Sequence, residues 1–380
     1  MMAEPEEAQG GGRTVRADEI AEVQAGRFSA QLLAGEPARS PVEVAGRLLA
    51  IQGQDARGAR LAIRARTAGL TAADVDRALT DDRSLLITWL NRGTLHLVRS
   101  EDYWWLHRLT AKPQFQIGCL RILARLNVSA HAADTGVGIL EQALLADGPL
   151  TGAQAAERLV AAGLTADRGA ALHTLILANL RGIAVRGPMI GAQQAYVHVR
   201  DWLGKPSPEP EPEVALGWLA RRYLAGHGPA SDRDLARWAG LPLGQVRRGL
   251  AVIASELRER PDGLAQLASA RCDESSLPPP RLLGAFDPVL LGWTSREPIL
   301  GDCQGIVTVN GLFRAFALVD GRAAGIWTWA GGAVTLDCLG QLPAATRAAL
   351  AAEASDVQRF LASKPELPST SRGSRPDEVA

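Results

Sequence analysis

The sequence predicts a mainly α-helical chain with a minor β component, and three observations predict it. Leu and Ala dominate the apolar residues, which make up 47% of the 380 positions, and both are strong helix formers. Gly and Pro arrive in clusters rather than throughout, as turns between helices require. Only from Arg281 onward do apolar residues alternate at period two with hairpin signals between them. A chain of this length and apolar content can bury the cores of two to four modules.

Taken in order, residues 1–16 contain no apolar stretch and read as a disordered end. Ser40-Pro41 supply the N-cap and first turn of a helix running to Ile51. Residues 52–55 then form a turn, and Ala56 to Thr67 the next helix, although an alternating strand over residues 60–66 is a second reading. Thr71-Ala72-Ala73-Asp74 caps a further helix, and Leu85 to Leu90 pairs with Thr94 to Val98 around the turn Asn91-Arg92-Gly93. Ser100-Glu101-Asp102 then caps a helix carrying Tyr103, Trp104 and Trp105.

A clearer copy of this plan begins near His131. Thr151-Gly152-Ala153-Gln154 is a capping box whose helix ends at Gly163, and Thr165 caps the next helix through Leu180. Residues 183–188 and 195–199 then alternate around a loop, as a wing hairpin does. The proline- and charge-rich residues 205–213 are an extended linker. Beyond it come a helix from Val214 to Gly226, a second capped by Ser231-Asp232-Arg233-Asp234, and a third after Gly240-Leu241-Pro242 carrying Gln245, Arg247 and Arg248.

The repeated plan, a helix-turn-helix followed by a hairpin, is that of a winged helix. The expected organisation is therefore winged helices at 17–128, 129–204 and 214–280, then a small antiparallel β region with a closing helix at 281–362, and a disordered tail at 363–380. In the β region, hairpin turns are expected at Asn310-Gly311 and Asp320-Gly321, with strand residues through Ile326-Trp327-Thr328-Trp329 to Val334-Thr335-Leu336 and a final helix from Pro343 to Leu361.

Several function classes lose support. Forty-one basic residues balance forty-one acidic ones, so any nucleic-acid-binding face must be local. Cys119, Cys272, Cys303 and Cys338 show neither C-x-x-C spacing nor dense pairing, which points to reduced thiols rather than a zinc ribbon or disulfide framework. No P-loop, strand-anchored G-x-G-x-x-G, G-x-S-x-G or H-E-x-x-H is present, and the histidines are scattered. The expectation is a mechanism without metal or cofactor. With neither a signal-like apolar region nor a membrane-length stretch, the expected setting is the cytoplasm, without membrane association.

The most informative feature is Gln52-Gly53-Gln54-Asp55, two amides and a carboxylate where an apolar run stops. Such amides can satisfy backbone carbonyls at a helix end, or they can position a water. Arg57, Arg60 and Arg64 follow at i, i+3 and i+7, either a solvated helix face or, with Arg66 and Arg92, a set of phosphate contacts. Asp55 suits a helix N-cap or an electrostatic role. Thr94 and His96 occupy one strand face and can border a common pocket, or His96 can be structural. Trp104 and Trp105 lie at helical spacing beside Leu106 and Leu109, where core packing competes with base stacking. The segment Asn310-Gly311-Leu312-Phe313-Arg314 is either a surface turn or a hairpin whose apolar tip enters the minor groove.

Four segments in order carry a resemblance: the tetrad at 52–55, Asn91-Arg92-Gly93-Thr94-Leu95-His96-Leu97-Val98, Leu283-Gly284-Ala285-Phe286-Asp287-Pro288-Val289-Leu290-Leu291-Gly292, and Val319-Asp320-Gly321-Arg322-Ala323-Ala324-Gly325-Ile326-Trp327. Together, over roughly residues 20–362, they resemble the winged-helix DNA glycosylases of the AlkZ and YcaQ type. The resemblance implies three tandem winged helices in a C-shaped monomer around double-stranded DNA. It implies removal of alkylated purines, including bulky adducts and interstrand crosslinks formed by the producing bacterium's antibiotics, in base excision repair and self-resistance. It places catalysis on Gln52 and Gln54, matching the family's Gln-aliphatic-Gln motif, and includes a lesion-facing β-hairpin, assigned here to residues 310–314. The sequence departs from that motif at Gly53, which has no side chain and is expected to loosen the backbone aiming both amides. From the fold alone, a non-catalytic winged-helix regulator or drug-binding protein is the competing expectation.

Overall fold

In the computed structural model, residues 17–362 are described, apart from 165–166, 191–192, 271–276, 302 and 304. The ends expected to be disordered, and Thr165 as a cap, lie outside these residues. About 52% of the chain is helical, with small antiparallel sheets, as the Leu- and Ala-rich composition requires.

Ala17–Ala30 forms α1 and Pro41–Leu48 forms α2, which starts where Ser40 Oγ accepts the Glu43 N–H at 3.1 Å. The helix stops before the expected Ile51, because Leu49 turns to φ 63°. Ile51–Gln52 is instead a short strand, β1. Ala56–Arg64 (α3) is helical, so the alternating-strand reading of residues 60–66 does not hold, though the helix ends short of Thr67. Ala72–Thr80 (α4) opens on the expected Thr71/Asp74 capping box. Leu85–Leu90 (β2) and Thr94–Arg99 (β3) pair around the 91–93 turn.

Residues 100–102 make a 3₁₀ turn rather than a side-chain cap: Ser100 Oγ donates back to the Arg83 carbonyl, and Asp102 accepts from Arg99 and Arg222. Tyr103–Thr110 (α5) and Pro113–Arg125 (α6) follow.

Next come Ala130–Asp147 (α7), Gly152–Ala161 (α8) with its Thr151/Gln154 box, Arg168–Leu180 (α9) capped by Asp167, and the hairpin Ala184–Ile190 (β4) with Gln193–His198 (β5). Val199–Leu203 (α10) leads into the linker, and Pro212–His227 (α11) begins inside it, with Pro212 in the helix's first turn. Asp232–Ala239 (α12) carries the expected Ser231/Asp234 box and ends at the left-handed Gly240, after which Leu243–Val252 (α13) leads to the two-residue strands Leu257–Arg258 (β6) and Gln266–Leu267 (β7).

The C-terminal sheet comprises Arg281–Leu283 (β8), Phe316–Val319 (β9), Arg322–Ala330 (β10) and Ala333–Cys338 (β11), in the order β11-β10-β9-β8. Glu297–Leu300 (α14) precedes β9, and Ala344–Ala362 (α15) closes the chain.

The hairpins do not stand alone. β4 pairs with β2 at Arg186 and Ile87, giving one five-stranded sheet in the order β1-β3-β2-β4-β5. An edge that would expose unpaired backbone groups is covered in this way. Three apolar clusters result. Leu140, Leu159 and Leu175 of α7–α9 pack with Trp89 of β2. Tyr223, Trp238 and Trp293 centre a second cluster. The third joins α2–α4 to the C-terminal sheet and α15 through Ile63, Leu282, Trp327 and Phe360. Asp102, held by Arg222 of α11 at 2.9 Å, ties the first segment to the third.

Candidate active site

β1 is an edge strand, and its side chains alternate across the sheet. Gln52 lies opposite His96 of β3, and the ladder continues because the Gly53 N–H donates to the Leu95 carbonyl at 2.7 Å. Gln52 and Gln54, two residues apart, therefore project to the same side, and Gln52 Nε2 donates to Gln54 Oε1 at 2.9 Å. Gln52 is buried and Gln54 exposed, so the pair runs from the protein interior to solvent. The backbone at Gly53 is buried and hydrogen-bonded, which corrects the expectation of a loosened motif. A Cβ there would meet Ile87 Cγ2 at 3.4 Å and the His96 backbone at 3.5 Å, both ordinary contacts.

Around this pair, Arg92 Nη2 donates to Gln52 Oε1 at 3.3 Å. Thr94 Oγ1 is 3.5 Å from the same oxygen but donates better to the Asn91 carbonyl at 3.1 Å, so it borders the site without fixing the amide. His96 Nδ1–H donates to the Thr94 carbonyl at 2.9 Å. Burial, reinforced by the charge of Arg92, pushes the imidazole down to about 3, so His96 is neutral at physiological pH. Asp55 caps α3, its carboxylate accepting the Gly58 N–H.

The arginines separate by environment. Arg57 is exposed. Arg60 donates to Asp76 and the Ala56 carbonyl, each at 2.8 Å. Arg64 is buried against Glu353 at 2.7 Å and Asp356 at 2.8 Å, both on α15. Arg66 is wholly buried, with all its N–H donors satisfied by Asp287, Gln31 and the Ala62 carbonyl. The face expected at 57, 60 and 64 is thus not a uniform cationic stripe, and Arg64 and Arg66 join elements inside the protein. Arg92 sits in the 91–93 turn with φ 59°, donating also to the Trp238 carbonyl. Burial, then the charges of Arg237 and Arg296, pushes it down to about 10.

The 310–314 segment is a tight hairpin: Thr308 N–H donates to the Leu312 carbonyl at 2.8 Å and Gly311 N–H to the Thr308 carbonyl at 2.9 Å. Its apolar tip is Val309, fully exposed at 103%, with Leu312 at 59%. Phe313 instead turns back onto Phe286, with ring centroids 5.1 Å apart, and Arg314 is exposed. Phe286 belongs to the segment that packs on α3, where a Cβ on Gly58 would fall 2.2 Å from the Ala285 carbonyl. The hairpin is therefore braced against the start of α3, beside the tetrad.

Sequence reasoning missed Arg237, Arg296 and Val309, and gave Phe286 no role beyond its place in the 283–292 segment. Only the exposed Val309, one residue before Asn310-Gly311, had a usable local signal. Trp104 and Trp105 are half-buried against the central cluster. With Trp218, Pro208 and Pro210 they line an open cleft of about 430 Å³ whose lining does not include the tetrad. Among the described residues no group of His, Cys, Asp or Glu side chains could hold a metal, and no helix is long and apolar enough to cross a membrane.

Residues 45–360 match a family described as "DNA glycosylase AlkZ-like". The chain is 29% identical over 332 residues, 80% of its length and 86% of the relative's, to an "Interstrand DNA cross-link repair glycosylase" of Streptomyces sahachiroi. Its structure resembles that of the Streptomyces sahachiroi DNA glycosylase AlkZ with a TM-score of 0.70 at 26% identity, covering 90% of this chain and 96% of that one.

Proposed function

The chain belongs to the AlkZ-like DNA glycosylase family, and from that premise we propose that it hydrolyses the N-glycosidic bond of alkylated purines in double-stranded DNA. Gln52 and Gln54 are the proposed catalytic pair. The observation that carries this reading is what surrounds them. At the tetrad, Asp55 is engaged as a helix cap and His96 is buried, bonded to the Thr94 carbonyl and, pushed down to about 3, too weak a base to take a proton, so beside the cationic Arg92 the groups available to a substrate are amides.

An amide has no useful pKa for general-base work, but its carbonyl oxygen can orient a water and stabilise positive charge on the sugar. That suffices when the leaving group is already activated. An N7-alkylated purine is cationic, so the C1′–N9 bond can break with its electron pair returning to the base, leaving a neutral purine. Water then adds to C1′ and loses its proton to solvent, giving an abasic site. Positioning and electrostatics supply the catalysis. The chain's lysines are Lys112, Lys205 and Lys364, none near the tetrad in sequence, which favours a monofunctional glycosylase over a Schiff-base lyase.

The relative's name, an interstrand DNA cross-link repair glycosylase, and the exposed position of Gln54 favour bulky N7 adducts or crosslinks as substrates. A crosslinked base cannot rotate freely from the stack, so excision without full flipping fits this reading. Antibiotic self-resistance, action as a monomer in the cytoplasm, and a phosphate contact by the exposed Arg57 complete the proposal, whereas Arg60 is committed to Asp76. The hairpin tip at Val309 and Leu312 is assigned to the minor groove beside the lesion.

Duplexes carrying adducts from N7-methylguanine to intercalating natural products provide the test, with abasic sites read as alkali-labile strand breaks. Wild type should release at least one adduct, and Gln52→Ala or Gln54→Ala should slow single-turnover release by about 10²-fold. DNA binding with every adduct left intact would favour a non-catalytic regulator.

A further inference from the structure

Arginines packed at the joins of this protein are mostly ion-paired: Arg64 with Glu353, Arg66 with Asp287, Arg222 and Arg99 with Asp102, Arg260 with Asp262. Beside Gln52 the pattern breaks. Arg92 donates to the Gln52 amide and to the carbonyl of Trp238. Arg237, the residue before Trp238, is exposed at the C-terminal turn of α12. Among the described residues Arg296 donates only its Nε, to the Leu290 carbonyl at 2.8 Å, and lies over the Phe313 ring at 5.1 Å, with no partner there for its Nη groups. None of the three has a carboxylate partner among the described residues. Thr294, two residues before Arg296, donates its N–H to Asp234 at 2.8 Å, one turn before Arg237 on α12, and Arg92 bonds the Trp238 carbonyl of the same helix, so the three arginines gather around the end of α12, where the charges acting on Arg92 are those of the other two.

Three unpaired cations within electrostatic reach of one another repel, which costs free energy unless an anion joins them. They also oppose the reaction proposed above. Glycosidic cleavage develops positive charge on the sugar, and a guanidinium 3.3 Å from Gln52 Oε1 raises the energy of that cation. A phosphodiester bound among the three would neutralise both effects, and guanidinium forks suit phosphate oxygens.

We propose that Arg92, Arg237 and Arg296 form a clamp for one phosphodiester flanking the lesion, and that this phosphate makes the glutamine site electrostatically competent. Arg237 and Arg296 are thus positioning residues. The clamp rests on the glycosylase reading and adds to it a requirement for a charged linkage at one defined position, so that a free alkylated nucleoside is a poor substrate.

The test replaces single phosphates within three nucleotides of an N7-methylguanine with neutral methylphosphonates and measures single-turnover base release. For wild type, one linkage should slow release by about tenfold or more. In Arg237→Gln and Arg296→Gln that penalty should shrink to less than about threefold, and each substitution should lower the salt slope of DNA binding by part of the roughly 0.9 that one phosphate contributes. Arg296→Lys, which keeps the charge, should recover part of both. Equal linkage effects in wild type and variants, or an unchanged salt slope, would overturn the clamp. If wild type fails to release the base from the all-phosphodiester duplex, the glycosylase reading itself fails.

Discussion

Gly53 and the arginines around it show how one residue's role depends on its neighbours. Gly53 departs from an aliphatic consensus, yet its backbone adopts no left-handed conformation and its N–H completes the ladder to Leu95. Because a Cβ would touch Ile87 and the His96 backbone at normal distances, Gly53→Ala should fold. It should gain about 0.4–1 kcal/mol by restricting the unfolded chain, measured by denaturant titration, while keeping base release within severalfold of wild type. A loss of more than 1 kcal/mol would mean that the strand needs glycine. Among the arginines, nothing in the spacing of 57, 60, 64 and 66 distinguishes the exposed Arg57 from the buried Arg66. Their partners stand at positions 76, 353, 356 and 287, far beyond any local window.

Elements were legible where a local signal sets them. The boxes at Thr71, Thr151 and Ser231 all formed, because a hydroxyl and an acceptor three residues on satisfy the same first turn wherever that turn occurs. Ends set by tertiary contact were not legible. α2 gives way to β1 because β3 offers a pairing edge, and that edge turns Gln52 and Gln54 to one side. α3 is pinned at its end by Arg66, whose guanidinium holds both Asp287 oxygens at 2.8 and 3.0 Å. Removing one charge of a buried pair leaves the other uncompensated. Asp287→Asn should therefore cost about 3–5 kcal/mol in chemical denaturation. A cost under 1 kcal/mol would show that the 284–287 segment is held by other contacts.

For the molecule as a whole, burial of neutral histidines sets an acid limit. His96 and His227 are each pushed down to about 3, by burial first, then by Arg92 for His96 and by Arg66 and Arg27 for His227. In the unfolded chain both titrate near 6.5. Below that value the unfolded state binds protons that the folded state does not, so stability is fully present above about pH 6.5 and falls as pH drops toward 3. Between pH 7 and 5 each histidine should remove roughly 2 kcal/mol. Denaturation midpoints across that range should fall with pH in wild type and less steeply in His227→Gln; a flat wild-type profile would contradict burial of neutral imidazoles. The sequence by itself determined the helical class and the order of capped helices and hairpins, since each rests on periodicity, caps and turns within a few residues, while it singled out Gln52 and Gln54 through the family resemblance, and their role is a proposal. Only the tertiary structure decided that two hairpins share one sheet, that Arg64 and Arg66 are internal, and that Arg92 reaches Gln52 while feeling the charges of Arg237 and Arg296. Charges distant in sequence acquire or lose their partners only when the elements pack.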